Sequence, residues 1–466
     1  MKRVIAAWAA VFAGVGLMLA AYSAMKRSAA AVPFANDLMY LGEGEPVKTA
    51  GLPPYIEVRV RVVGPAPQLA ALLRRTSSAG VTSRQRPVWG EKLVELPQFE
   101  QRMSGASLAR GRLPRTGADE VLAGERLADR SEIDVPGRRL RVTGVLRPEV
   151  GVFGRCFILP ADRNNDPLFA GDDRSVWDGY VLHLGMGLPE HSVSSALDAA
   201  FPSNTFAAVP QWRRVNRGLY YLYLTGMAVL LAGGSWLLIR LYGALARRSI
   251  PIVGQPLGEL ARRPQLLWII HWVYFGSVLL SMAVVYEFPV LQTVLVQQAA
   301  EELGGGSGRH GSGGAPSRSG PLAVAGKAYA SRNVPAAAAV TVTVNFFLGS
   351  LLVITVPSLV VPGVGALVAL LRSVTWGLLL APSSLPLALT MLPHSGTLLL
   401  EGEGYILATF FATLVPIYLF DGRVAPKIGG RFGRALVVNG TGSLVVLVVL
   451  LTAAVYEAIE VIAMMR

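Results

Sequence analysis

Apolar runs, each close to the ~20 residues that cross about 30 Å of hydrocarbon, divide this chain more visibly than any other pattern. VIAAWAAVFAGVGLMLAAYSA (4–24), GLYYLYLTGMAVLLAGGSWLLI (218–239), LLWIIHWVYFGSVLLSMAVVYEF (266–288) and ALVVNGTGSLVVLVVLLTAAVY (435–456) each predict one membrane helix. From Ala338 to Ala381 the chain is apolar apart from VVPGVG (360–365), which predicts two spans, 338–361 and 363–381, around a tight Pro-Gly turn. The first run follows MKR and is longer than the ~7–15 residues of a secretory core, so it reads as an uncleaved anchor, residues 1–25.

Residues 26–215 are polar and rich in Arg, Gly and Pro, and long enough for a domain of ordinary size. YIEVRVRVVG (55–64) alternates like a strand with one buried face, and PAPQLAALLRR (65–75) then predicts an amphipathic helix. DGYVLHLGMG (178–187) and PEHSVSSALDAAF (189–201) repeat that order, which predicts an α+β domain with an internal pseudo-repeat. EELGGGSGRHGSGGAPSRSGP (301–321) predicts a flexible external loop within the membrane half, 266–466.

Basic residues orient the spans. Arg240, Arg247, Arg248, Arg262 and Arg263 lie in one short segment of residues 216–265, and DGRVAPKIGGRFGR (421–434) is a second basic loop; both read as cytoplasmic. An even number of crossings must separate two cytoplasmic loops, so residues 384–420 must supply an odd number. At 1.5 Å per residue a single helix there would measure about 55 Å, too long for one span, while three spans would not fit. The expectation is one crossing plus a re-entrant hairpin. Pro393, His394, Ser395 and Gly396 form its tip, and Glu401-Gly402-Glu403-Gly404 the outer turn. The expected fold is a polytopic α-helical membrane protein of about seven spans plus one re-entrant hairpin, with an α+β extracytoplasmic domain.

Composition agrees with a membrane protein: 52% of residues are hydrophobic and only 16% charged. The net charge of +13 comes largely from Arg beside apolar runs, so topology explains it better than nucleic-acid binding. Cys156 is the single cysteine, which excludes an internal disulfide and a cysteine metal site. No G-x-x-x-x-G-K-[ST] occurs, so any ATP is hydrolysed by a partner. Nor is there an H-E-x-x-H, and GTGS (440–443) has no suitable partner, so catalysis is not expected. The expected cofactor and metal complement is none. His394 is either part of a transport or gating path or a structural hydrogen bond at the hairpin tip. His271 reads as interfacial, near the cytoplasmic end of its span. Arg372 lies mid-span, where a basic residue costs about 2.5–3.5 kcal/mol. It should pair inside the bundle with Glu401, Glu403, Glu457 or Glu460.

Two stretches carry resemblances. In GASLARGRLPRTGADEVLAGERLADRSEIDVPGRRLRVTGVLRPEVGVFGRCFILP (105–160), Gly111, Arg112 and Pro114, then Glu120–Gly124, then Val142–Leu146 and Ile158-Leu159-Pro160 resemble the MacB-like periplasmic core domain of ABC-type permeases. The likeness covers residues 1–240 and extends to the anchor before the domain and the span after it. Residues 258–462 look like the stage II sporulation protein M family. That likeness lies in Val344-Asn345-Phe346-Phe347 before Gly349, in Pro362-Gly363, and in Pro393-His394-Ser395-Gly396 with Glu401. This sequence has one Asn where that pattern has a pair, and its Gly and Glu are displaced. Together the resemblances imply a permease-type subunit in a bacterial cytoplasmic membrane, worked by a separate cytoplasmic ABC ATPase through Arg240–Arg263. The alternative they leave is an envelope scaffold that organises cell-wall-remodelling enzymes. A homodimer, the substrate and the direction of transport stay open.

Overall fold

The structure, a computed structural model, describes residues 2–30, 37–42, 56–64, 91–135, 138–162, 165, 167–168, 175–183, 207–208, 215–248, 250–288, 291–292, 295, 328–422 and 424–464. The helices expected at 65–75 and 189–201 and the loop 301–321 lie outside these residues. Two compact units form, one from Met1–Tyr22 with Gly218–Arg466 and one from Ser23–Arg217.

The second unit is a sheet. Its strands are β1 (Asp37–Gly42), β2 (Ile56–Gly64), β3 (Lys92–Leu96), β4 (Leu108–Gly111), β5 (Glu120–Ala123), β6 (Glu132–Val135), β7 (Arg138–Leu146), β8 (Cys156–Pro160), β9 (Ser175–His183) and β10 (Ala207–Ala208). They lie in the order β10-β1-β9-β2-β3-β8-β5-β7-β4, with β6 beside β7. The two strands expected from the pseudo-repeat, β2 and β9, are antiparallel neighbours. β3 and β8 run parallel at the centre and are buried along their whole length. Both faces of those strands carry apolar side chains, as strands covered on two sides require, with Lys92 and Glu95 of β3 buried among them. Val94, Leu96 and Ile158 join one core with Val60, Val62, Leu122 and Leu146, while Leu93, Phe157 and Leu159 join another with Val121 and Leu140.

The Gly-Arg-x-Pro stretch is a turn locked by its neighbours. Gly111 has φ +86°, and a Cβ there would overlap the Thr143 carbonyl, so only glycine fits. Arg112 then reaches Glu120 with both guanidinium nitrogens, and the Arg115 N–H donates to the same carboxylate at 3.0 Å. These bonds, chiefly those from Arg112, pull the Glu120 carboxyl down to about 2.

The other unit is helical: α1 (Lys2–Ala30), α2 (Arg217–Ala246), α3 (Gly254–Arg262), α4 (Pro264–Glu287), α5 (Val334–Val360), α6 (Val364–Leu379), α7 (Leu385–Phe420) and α8 (Ile428–Met464). Six of them, all but α3 and α6, are long and apolar enough to cross a membrane. Large apolar side chains such as Phe12, Trp272, Leu280 and Val448 stand exposed along them, as lipid-facing positions would. The chain is a multi-pass membrane protein. Small residues set the helix crossings. A Cβ on Gly14 or Gly226 would collide with the partner backbone where α1 meets α2, and Gly377 lies against the Val278 carbonyl where α6 meets α4.

Three expectations are corrected here. Residues 385–420 form one continuous 36-residue helix, not a span plus a re-entrant hairpin. A helix can outrun the hydrocarbon thickness, by tilting or projecting from it, so its length alone does not force a break. Pro393 does not interrupt α7, and hydroxyls from neighbouring helices add bonds around it: Tyr456 donates to the Pro393 carbonyl at 3.0 Å and Tyr223 to Ala388 at 2.7 Å. Pro393-His394-Ser395-Gly396 is therefore helix, not a tip. Glu401 and Glu403 are buried mid-helix and not in an outer turn; the glycines between and after them admit Phe275 with Tyr274, and Leu450. The basic segment is also more ordered than a loop. Arg240 lies within α2, stacked over Trp236, and Arg262 and Arg263 both pair with Glu259. The Pro-Gly turn between α5 and α6 forms as expected, with Gly363 at φ +95°.

The Glu120 lock carries a pH signature. Its folded value lies below the unfolded carboxyl near 4.3, so its contribution is whole above about pH 5 and lost as pH falls toward 2. Glu120→Gln should lower the denaturant midpoint of this unit at neutral pH, read by pulse proteolysis of the full chain, and match wild type near pH 2. Gly111→Ala should cost at least about 1–2 kcal/mol at every pH, because it strains the backbone.

Candidate functional site

The α7 sequence from His394 to Thr409 places polar groups at 394, 397, 401, 405 and 409, the three- and four-residue spacing of a single helix face. Such a stripe on a helix between apolar neighbours has to be satisfied by other helices. The structure satisfies it at two levels, and a third polar pair stands on the opposite face of the same helix.

At the first, His394 and Thr397 meet Glu460 of α8. His394 Nδ1 lies 3.1 Å from one carboxylate oxygen, and the Thr397 hydroxyl donates to the other at 2.6 Å. Glu457, one turn earlier on α8, interacts with His394, with the Tyr329 hydroxyl and with Glu401.

At the second, Arg372 of α6 meets α7. Its guanidinium lies 3.7 Å from Glu401 and donates to the Tyr405 hydroxyl, which in turn donates to Glu401 at 3.1 Å. The same group lies 4.0 Å from the Tyr405 ring centroid and 5.5 Å from that of Trp376, and reaches the Asn345 side-chain oxygen at 3.4 Å. Asn345 sits in Thr343–Thr355, where α5 is wound as a π-helix, a form rare outside functional stretches. A Cβ on Gly349, one turn on, would stand 3.1 Å from both Arg372 and the Tyr405 hydroxyl. The Tyr274 hydroxyl of α4 is buried beside this group, interacts with Arg372 and Glu401, and makes no hydrogen bond.

At the third, on the opposite face of α7, Glu403 meets His271 of α4. His271 Nε2 lies 2.7 Å from Glu403 Oε2, and Nδ1 lies 2.8 Å from the Leu267 carbonyl. Both side chains are sealed, at 2% and 0% exposure. The buried Tyr242 hydroxyl of α2 interacts with Glu403 as well. Among the described residues no three His, Cys, Asp or Glu side chains stand close enough to share a metal ion. The groups work in pairs.

Of the residues singled out in the sequence, His394, Glu401, Glu403 and Arg372 all belong to this system. Of the four carboxylates offered for Arg372, Glu401 is the one it meets. Ser395 only bonds back to its own helix, and Pro393 contributes its carbonyl. The five arginines of Arg240–Arg263 take no part in these contacts. His271 is a buried member of the system and not an interfacial residue. Glu457 and Glu460 serve His394 in place of Arg372, and Thr397, Tyr405 and Tyr274 join them without having stood out in the sequence. The stripe spacing along α7 is the signal that points to the first two of those three.

Because Glu401 is buried and Arg372 is the cation beside it, losing one should cost more than losing both. Arg372→Leu alone should destabilise the detergent-solubilised protein by about 3–5 kcal/mol. Arg372→Leu combined with Glu401→Leu should recover most of that loss. Thermal unfolding of the two single variants and the double variant measures the coupling; simple additivity would mean the pair does not form.

Comparison with protein-family models, curated proteins and solved structures returns no match to this chain.

Proposed function

We propose that this protein is a permease-type membrane subunit of an ABC-type transporter or mechanotransmission complex. Its seven crossings, α6 included, start with the N-terminus inside, and residues 26–215 lie outside the cytoplasm. The carrying observation is the set of ionisable side chains buried along α7. A bundle that only anchors a domain gains nothing from sealing Glu401, Glu403 and Glu460 among helices, since each carboxylate removed from water must be compensated. A bundle that rearranges around a solute or transmits force uses such pairs as points that can break and re-form.

ATP enters through a partner. Arg247 and Arg248 stand exposed at the end of α2, and the amphipathic α3 follows, its Leu257 and Leu260 buried and Arg262 outward. This basic face on the inner side suits an acidic surface on a cytoplasmic ATPase.

Arg247→Glu with Arg248→Glu should reduce co-purification of that ATPase at least tenfold in mild detergent, with membrane insertion unchanged. Unaltered association removes this face as the contact, and recovery of cell-wall-remodelling enzymes in place of an ATPase favours the scaffold. A cysteine at Gly117, exposed in the sheet unit, should react with an impermeant reagent from outside the cell. Reaction only after permeabilisation would reverse the topology.

A further inference from the structure

The His271–Glu403 pair has one proton too few for both groups to be independently satisfied, and geometry says where it is. A carbonyl only accepts, so His271 Nδ1, 2.8 Å from the Leu267 oxygen, carries a hydrogen. Nε2 and the Glu403 oxygen, 2.7 Å apart, must then share a single proton. Imidazolium with carboxylate and imidazole with carboxylic acid are both overall neutral. The pair can pass between them with no change of net charge in a site closed to water. Glu403 also interacts with the Tyr242 hydroxyl of α2, and the two side chains are 0% and 3% exposed, so a further proton-bearing group adjoins the pair away from water.

Further groups extend the series. Tyr274, one turn beyond His271 on α4, offers a buried hydroxyl without a hydrogen bond beside Arg372 and Glu401. Glu401 is flanked by Tyr405 on its own helix, Arg372 from α6, Glu457 from α8 and His394 on α7. His394 and Glu460 end the series. Groups that can take up and release protons therefore recur along one helix, from α8 at one end to α2 at the other, with a fixed cation at the middle.

We propose that protons pass along α7, loaded at His394–Glu460, handed through Glu401 and released at His271–Glu403, with Arg372 as the gate. Each transfer moves one proton between a carboxyl, an imidazole or a hydroxyl, and the proton entering on one side is balanced by the one leaving on the other. Arg372, 3.7 Å from Glu401 and linked to it through the Tyr405 hydroxyl, competes with a proton for that carboxylate, and its positive charge repels other cations. This makes a transmembrane proton gradient a source of work for the same bundle, or a control on it. The direction of travel rests on the topology proposed above; the proton sharing at Glu403 does not.

The test uses the full-length protein in lipid vesicles holding a pH-sensitive dye, under an imposed potassium diffusion potential. Arg372→Gln should admit protons at least tenfold faster than wild type. Adding Glu403→Gln or His271→Gln to it should return the rate to that of protein-free vesicles, while adding Glu132→Gln, an exposed change in the sheet unit, should not. Infrared spectra of the wild-type protein in H2O and in D2O supply a second readout that does not depend on a surviving gate variant. A carboxyl band absent from Glu403→Gln should shift on transfer into D2O, as a carboxyl that shares an exchangeable proton with His271 requires. If protons cross no faster in Arg372→Gln than in protein-free vesicles and no Glu403 band shifts in D2O, the path is wrong and the pair is structural. A Gly117 cysteine that reacts only from inside, with the Glu403 band still shifting, overturns the topology and leaves the proton site standing.

Discussion

A charge buried in a helical bundle has to be matched, and in this protein the matching of Arg372 with Glu401 fixes the geometry of four helices. α6 supplies the guanidinium, α7 the carboxylate and the Tyr405 hydroxyl between them, and α5 the Asn345 oxygen. From α4, Tyr274 closes the site, and Ser277 reaches Ser373 one residue beyond Arg372. Without a hydrophobic driving force between helices in lipid, such polar contacts and close packing at small residues are what select one arrangement. The π-wound stretch of α5 belongs to the same constraint: it contains both Asn345 and Gly349, which border Arg372.

The rest of the helical unit follows the same logic on both sides of that pair. Towards α8, Gly396, Gly404 and Gly442 let Tyr456, Leu450 and Phe411 fill the seam, while Asn439 donates to the Phe411 carbonyl at 3.1 Å. Towards α4, Gly402 leaves room for Phe275 beside the His271–Glu403 pair. The glycines of the Glu401–Gly404 run are thus the reason two carboxylates can be brought so close to facing helices. Charge and small volume alternate because each needs the other.

Apolar length and Arg placement make the helical spans legible in the sequence. The boundaries of α4, α5 and α6 lie within four residues of expectation, and α2 starts where expected but runs to Ala246, because a run of apolar residues in lipid has little choice but to be helical. The strands β2 and β9 are legible from alternation. Pro393 with its nearby glycines misleads, because locally they signal a break. Tertiary hydroxyls on Tyr456 and Tyr223, distant in sequence, support the helix there. The identity of Arg372's partner is equally hidden, since four carboxylates compete and only packing chooses. In the sheet unit Gly111, Arg112 and Glu120 stand out as a motif, and the structure gives them a structural job: a turn, its lock and the carboxylate it locks to.

The whole column of paired charges depends on α7 being one unbroken helix that carries His394, Glu401 and Glu403 past successive partners. Spin labels at Leu389 and Phe420, both exposed, bracket that stretch. At 1.5 Å per residue their backbones lie about 46 Å apart along a continuous helix, whereas a re-entrant hairpin between them would bring them to roughly 30 Å. A dipolar distance distribution of the lipid-reconstituted full-length protein centred near the longer value is the predicted result. A distribution centred near the shorter one would contradict the continuous helix and the column of paired charges built on it.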